Sequence, residues 1–284
     1  MILRLSEETP VTDARLVFPV AARIIRVFFC LCLIFGLTAC VTETTGGFNA
    51  EVSDEQALRD YIQLATGYLE QNDLANTKRH LDNAARYDRN NSEILAIWGL
   101  VYSREGEEAL ADESFRRALR INTGNSQARN NYAAFLFVNG RYEDAYEQLQ
   151  RVVQDTEYPA RPQAFENLGL AALSLDRIED AQSAFSRALQ LNSNLLRSSL
   201  ELANLNLDKN DVLQARAYYR NFLTLLQLDN TGQNARSLWI GIRLESAMGN
   251  IENANRYGAL LESAFPNSPE YIAYTSLMET LGNE

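Results

Sequence analysis

The chain has 284 residues, 46% of them apolar, with 26 basic side chains against 37 acidic ones and a single histidine. A net charge of −11 excludes the basic footprint that nucleic acid demands and opposes electrostatic attachment to anionic lipid. The lone His80 excludes Ser–His and multi-histidine metal chemistry, and no glycine-rich phosphate loop ending in Lys-Ser/Thr is present.

The first informative stretch is residues 23–40, RIIRVFFCLCLIFGLTAC. Arg23 and Arg26 precede Val27–Leu37, an apolar run too short to cross a bilayer comfortably. Leu37-Thr38-Ala39-Cys40 then resembles the lipoprotein box of bacteria, in which the cysteine is acylated and becomes the mature N-terminus. Val41, where an Asp would retain such a protein elsewhere, implies by the same resemblance sorting to the outer membrane. An ordinary signal peptide or an uncleaved anchor is the competing reading. Residues 1–39 are thus expected to be a signal peptide, with 1–22 so long that the true start is expected to lie later. Cys30 and Cys32 leave with it and have no acidic or histidine neighbours to make a metal site. The mature chain is left without a disulfide, so packing alone must stabilise it. Residues 40–54 have little apolar periodicity and read as a flexible tether, with Ser53 or Asp54 positioned to cap the first helix.

From residue 55 the chain repeats. In Ser92–Asn125, Trp98 and Tyr102 share one helical face, Gly106 marks a turn, and Ala111, Phe115 and Ala118 share the face of a second helix. Gly99 and Ala111 are small where the two helices would cross. The same pattern recurs over 58–91, 126–161, 162–195, 196–229 and 235–268, with Asn72, Gly140, Asp176, Asn210 and Gly249 at the turns. It resembles the tetratricopeptide repeat, whose 34-residue unit pairs two helices and cannot bury its apolar face alone. The resemblance implies an all-α, right-handed solenoid of six repeats. Residues 269–284, opened by Pro269 and carrying Ile272, Thr275, Leu277 and Leu281 at roughly helical spacing, read as a capping helix. Two interruptions stand out: two extra residues before Pro162, where the preceding helix is expected to end near Gln154, and five extra residues before Ala235. Gly241, Glu245 and Gly258 occupy places usually filled by apolar or aromatic residues.

No catalytic constellation is present. Acidic pairs such as Glu107-Glu108 and Glu143-Asp144 fall at helix starts, where they favour the positive end of the dipole. His80 reads as a surface or packing residue. The resemblance to tetratricopeptide proteins directs attention to the concave groove, into which the fifth, ninth and twelfth places of each first helix point. The residues expected there include Ile62, Thr66 and Leu69; Ala96 and Leu100; Asn130, Ala134 and Phe137; and Leu170 and Leu173. Ile62, Leu69 and Leu100 are the expected anchors, with repeat packing left to Leu64, Tyr68, Trp98 and Tyr102. Such an apolar strip suits an extended or amphipathic partner peptide.

The lipobox, six repeats, and the runs Asn130–Leu149, Tyr158–Leu173 and Gly232–Leu244 together resemble the type IV pilus biogenesis and stability lipoproteins, or type IV pilotins. That resemblance implies an outer-membrane lipoprotein on the periplasmic face, held in the bilayer through acylated Cys40. Its partner would be the secretin subunit of the type IV pilus, whose localisation and multimer assembly it would promote, and with them twitching motility. It implies no cofactor, no metal, no small-molecule substrate and no catalytic residue. A periplasmic adaptor for another envelope-assembly machine is the alternative.

Overall fold

The computed structural model describes residues 53–282; the lipobox, Cys40 and most of the expected tether lie outside the described residues. Helices pair in order: α1 (Asp54–Glu70) with α2 (Leu74–Ala84), α3 (Ser92–Glu105) with α4 (Glu108–Ile121), and α5 (Ser126–Val138) with α6 (Tyr142–Val152). They continue with α7 (Arg161–Ser174) and α8 (Ile178–Leu191), α9 (Leu196–Asp208) and α10 (Val212–Leu228), α11 (Ala235–Ala247) and α12 (Ile251–Ala264), and close with α13 (Pro269–Gly282). No strand occurs among the described residues. The Ser53 hydroxyl caps α1, accepting from the Gln56 N–H at 3.1 Å.

The repeat register is written in the backbone. Asn72, Gly106, Gly140, Asp176, Asn210 and Gly249 all take positive φ, and they lie 34, 34, 36, 34 and 39 residues apart. Each turn is closed the same way. The next residue's N–H reaches back to a carbonyl inside the preceding helix, as in Asp73 to Tyr68 and Glu107 to Tyr102, both at 2.9 Å. Glycine takes this conformation freely, and asparagine and aspartate tolerate it better than other side chains. The two longer intervals carry the two and five extra residues seen in the sequence.

Within a unit, the helices cross on a small residue facing a large one. A Cβ on Gly99 would lie 2.8 Å from the Phe115 ring, and one on Gly169 would lie 2.6 Å from the Phe185 ring. Units one and three solve the same crossing with Ala65 against Leu81 and Ala133 against Leu149, all buried. The volumes are exchanged, so the interior stays close-packed either way.

The interruptions have structural causes. After α6, which ends two residues earlier than expected, the loop buries Tyr158, whose hydroxyl donates to Gln127 Oε1 at 3.2 Å. Pro162 sits in the first turn of α7, where its missing N–H costs nothing. The second interruption ends in a capping box: Asn234 Oδ1 accepts from the Ser237 N–H at 2.9 Å, and Ser237 Oγ accepts from the Asn234 N–H at 3.0 Å. Gly241 makes room for Tyr219 of the unit before it, whose hydroxyl donates to Ser237 O at 2.9 Å; burial pushes that hydroxyl's pKa well above its ordinary value. Gly258 does the same for Tyr274 of α13. The cap therefore docks through Tyr271 and Tyr274 onto Leu238, Ile242 and Leu261. Ile272 faces solvent at 61% exposure, a correction to the face expected from spacing.

Units two and three are also tied by polar groups. Asp112 accepts from the Tyr132 hydroxyl at 2.8 Å and pairs with Arg116 at 2.8 Å and Arg141 at 2.6 Å. Partial burial raises the Asp112 pKa, but the hydrogen bonds from Tyr132 and Arg141 and the charge of Arg116 outweigh it and hold the carboxyl below its ordinary value.

Candidate docking groove

The first helices of units one to three enclose a cleft of about 370 Å³. α1 contributes Ile62, Thr66, Leu69 and Glu70; α3 contributes Glu93, Ala96, Ile97, Leu100 and Arg104; Gln127, Ala128 and Asn131 come from α5, and Asn125 from its N-cap. The spacing of four and three along α1 and α3 puts these residues on one face, and stacking the units brings the faces together.

Five of the ten sequence-predicted residues line this cleft: Ile62, Thr66, Leu69, Ala96 and Leu100. They are not equivalent. Ile62 and Leu100 are half-buried and Thr66 is exposed, so each presents surface to the cleft. Leu69 is only 4% exposed and belongs to the core built by Ala65, Leu81, Ile94 and Val101. Ala96 is likewise buried, so both form floor rather than anchor. The division of labour expected in α1 is also corrected: Leu64, expected to carry repeat packing, is 45% exposed. Leu69 takes that work because it sits in the last turn of α1, beneath Arg104. Arg104 Nη1 donates to the Leu69 carbonyl and, at 3.3 Å, to Asn72 Oδ1, tying the end of α3 to the end of α1.

The other five residues do not line the cleft. Asn130 accepts from Asn167 Nδ2 at 3.4 Å and so faces the next unit. Ala134 is exposed, and Phe137 packs edge-on to Tyr142 at 5.1 Å between ring centres. Leu170 and Leu173 pack against the central core around Leu168 and Phe185. The groove residues missed from the sequence are Glu70, Glu93, Ile97, Arg104, Asn125, Gln127, Ala128 and Asn131, all polar or small except the buried Ile97. The α5 positions were legible in principle, since turning the expected face by one residue, about 100°, selects them. His80 is a packing residue, stacked on Tyr68 at 5.2 Å.

Helix pairs recurring at a 34-residue interval, with two short insertions, and stacked around a concave groove define a tetratricopeptide-repeat protein, and the tetratricopeptide repeat family matches residues 162–195 directly. Type IV pilus assembly protein PilF of Pseudomonas aeruginosa is 37% identical over 250 residues, spanning 87% of this chain and 96% of that protein. A solved structure of Pseudomonas aeruginosa PilF superposes with a TM-score of 0.74 over 78% of this chain and 98% of that one. PilW, a type IV pilus biogenesis factor, shares the fold at 24% identity and a TM-score of 0.64, covering 78% of this chain and 99% of its own. The chain belongs to the PilF family of tetratricopeptide-repeat proteins.

Proposed function

We propose that the protein acts in type IV pilus biogenesis by binding the secretin subunit in the groove of units one to three, promoting secretin localisation and multimer assembly. The carrying observation is the cleft itself, in which Ile62 and Leu100 expose apolar surface between polar rims, in a chain of the PilF family. An extended or amphipathic secretin segment would lay apolar side chains on these two residues, with Glu70, Glu93 and Arg104 at the margins. We further propose that Cys40 carries the lipid that holds the solenoid at the periplasmic face of the outer membrane, a reading supported by the run Leu37-Thr38-Ala39-Cys40.

Two measurements test this reading. Ile62→Ser with Leu100→Ser removes the surface without touching Leu69, and should weaken secretin binding by about tenfold or more while leaving helicity unchanged, since a few apolar anchors dominate such interfaces. Equal affinity for secretin in a folded double variant would place docking elsewhere. Intact mass of the cell-derived protein should start at Cys40 with acyl chains attached, and Cys40→Ala should misplace a folded protein; an unlipidated wild-type product would remove the anchor.

A further inference from the structure

Units two and three hold a second cleft, of about 570 Å³, that shares no residue with the groove. It lies among α4, α5 and α6, and five arginines line it: Arg116, Arg120, Arg129, Arg141 and Arg151. Asp144 is the one acidic residue lining it, in a chain whose net charge is −11. Arg116 and Arg141 are neutralised by Asp112 and Asp144. Arg120 and Arg151 are exposed and make no ion pair among the described residues.

Arg129 is the unusual member. It is 8% exposed, and its guanidinium donates to Gln148 Oε1 at 2.8 Å and to the Thr123 carbonyl at 2.6 Å. Both acceptors are neutral, and no carboxylate pairs with it among the described residues. Burial, and then the like charge of Arg151, push its pKa down. A buried charge without a counter-charge is unfavourable, and it is relieved when an anion completes the pair.

We propose that this cleft binds the carboxylates of an acidic protein segment, with Arg129 as the buried anchor and Arg120 and Arg151 as exposed arms. The planar guanidinium matches a carboxylate through two parallel hydrogen bonds. Leu119, half-buried, lines the same cleft over the fully buried Leu136 and supplies apolar contact that a protein segment uses and a free phosphate does not. An anionic membrane fits less well. The chain as a whole is acidic, and a flat headgroup layer does not reach a side chain buried as Arg129 is. The inference is independent of the groove reading.

The test uses full-length protein in phosphatidylcholine nanodiscs and a fluorescein-labelled peptide, acetyl-Glu-Glu-Leu-Glu-Glu-Leu-amide, followed by anisotropy. The peptide should bind, its glutamine counterpart should bind about tenfold more weakly or worse, and added salt should weaken the complex. Arg120→Glu with Arg151→Glu, both at exposed positions, should cut affinity at least about tenfold with helicity unchanged, while Ile62→Ser with Leu100→Ser should leave it intact. No binding at millimolar peptide overturns the proposal, as does equal binding of the glutamine peptide or of the double arginine variant. Displacement by equimolar inorganic phosphate would assign the cleft to phosphate instead. Protection of α4–α6 from hydrogen exchange only in phosphatidylglycerol nanodiscs, without peptide binding, would assign it to the membrane.

Discussion

Gly169→Ala adds one methyl group at the crossing of α7 and α8, and the structure fixes both terms of its cost. Alanine replaces glycine in a helix, which by itself stabilises by about 0.5–1 kcal/mol. The new Cβ would stand 2.6 Å from the Phe185 ring, which is fully buried and has no solvent to retreat into. Overpacking of this kind costs about 1–3 kcal/mol, so the net expectation is a loss of about 1–2 kcal/mol. For a solenoid of this size that lowers the melting temperature by about 2–8 °C. Gly67→Ala is the internal control. Gly67 lies in α1 with nothing within 4 Å of its prospective Cβ, so the same substitution should stabilise there by about 0.5–1 kcal/mol. Adding Phe185→Leu to Gly169→Ala recreates the alanine–leucine crossing of units one and three and should recover part of the loss as a positive coupling in a double-mutant cycle. Thermal and urea unfolding by circular dichroism measure the wild type, Gly67→Ala, Gly169→Ala, Phe185→Leu and the Gly169→Ala, Phe185→Leu double variant. If Gly169→Ala stabilises as much as Gly67→Ala, the crossing is not close-packed and the assigned register fails.

Other consequences are simpler to check. The Asp112 carboxyl is held below its ordinary pKa in the fold, so its stabilising contribution is present above about pH 4 and is lost as pH falls through the lowered folded value. Asp112→Asn should therefore lower stability at pH 7 and flatten the acid side of the stability–pH curve; an unchanged acid limb contradicts the pairing. Tyr274→Ala empties the space over Gly258 and should speed hydrogen exchange in α12 and α13 while leaving units one to four unchanged, because each unit contacts only its neighbours. Loss of protection along the whole solenoid would mean that the cap has a longer reach.

The architecture was legible because its punctuation is chemical. Gly106, Gly140 and Gly249, with Asn72, Asp176 and Asn210, are residue types that accept positive φ, and they fall at the intervals the turns require. Gly241 and Gly258 looked anomalous in the sequence because their partners, Tyr219 and Tyr274, come from neighbouring elements, which a per-unit pattern does not display. The groove was half legible. Position along the first helix predicted that Ile62, Thr66, Leu69, Ala96 and Leu100 meet, but not that Leu69 and Ala96 are buried on meeting. Burial there depends on the next unit and on Arg104, which a single helix does not contain. The arginine cleft left no motif at all: its members spread from Arg116 to Arg151 over three helices, and only their concentration in two units of an acidic chain signals it.

The central claim is that the groove of units one to three serves secretin assembly, and the most direct measurement is the abundance of heat-resistant secretin multimers in cells producing the Ile62→Ser, Leu100→Ser double variant at wild-type level. The groove reading predicts fewer multimers and loss of surface pili and twitching motility, with pilin still made. Normal multimers and normal pili from a folded, correctly localised double variant would contradict it.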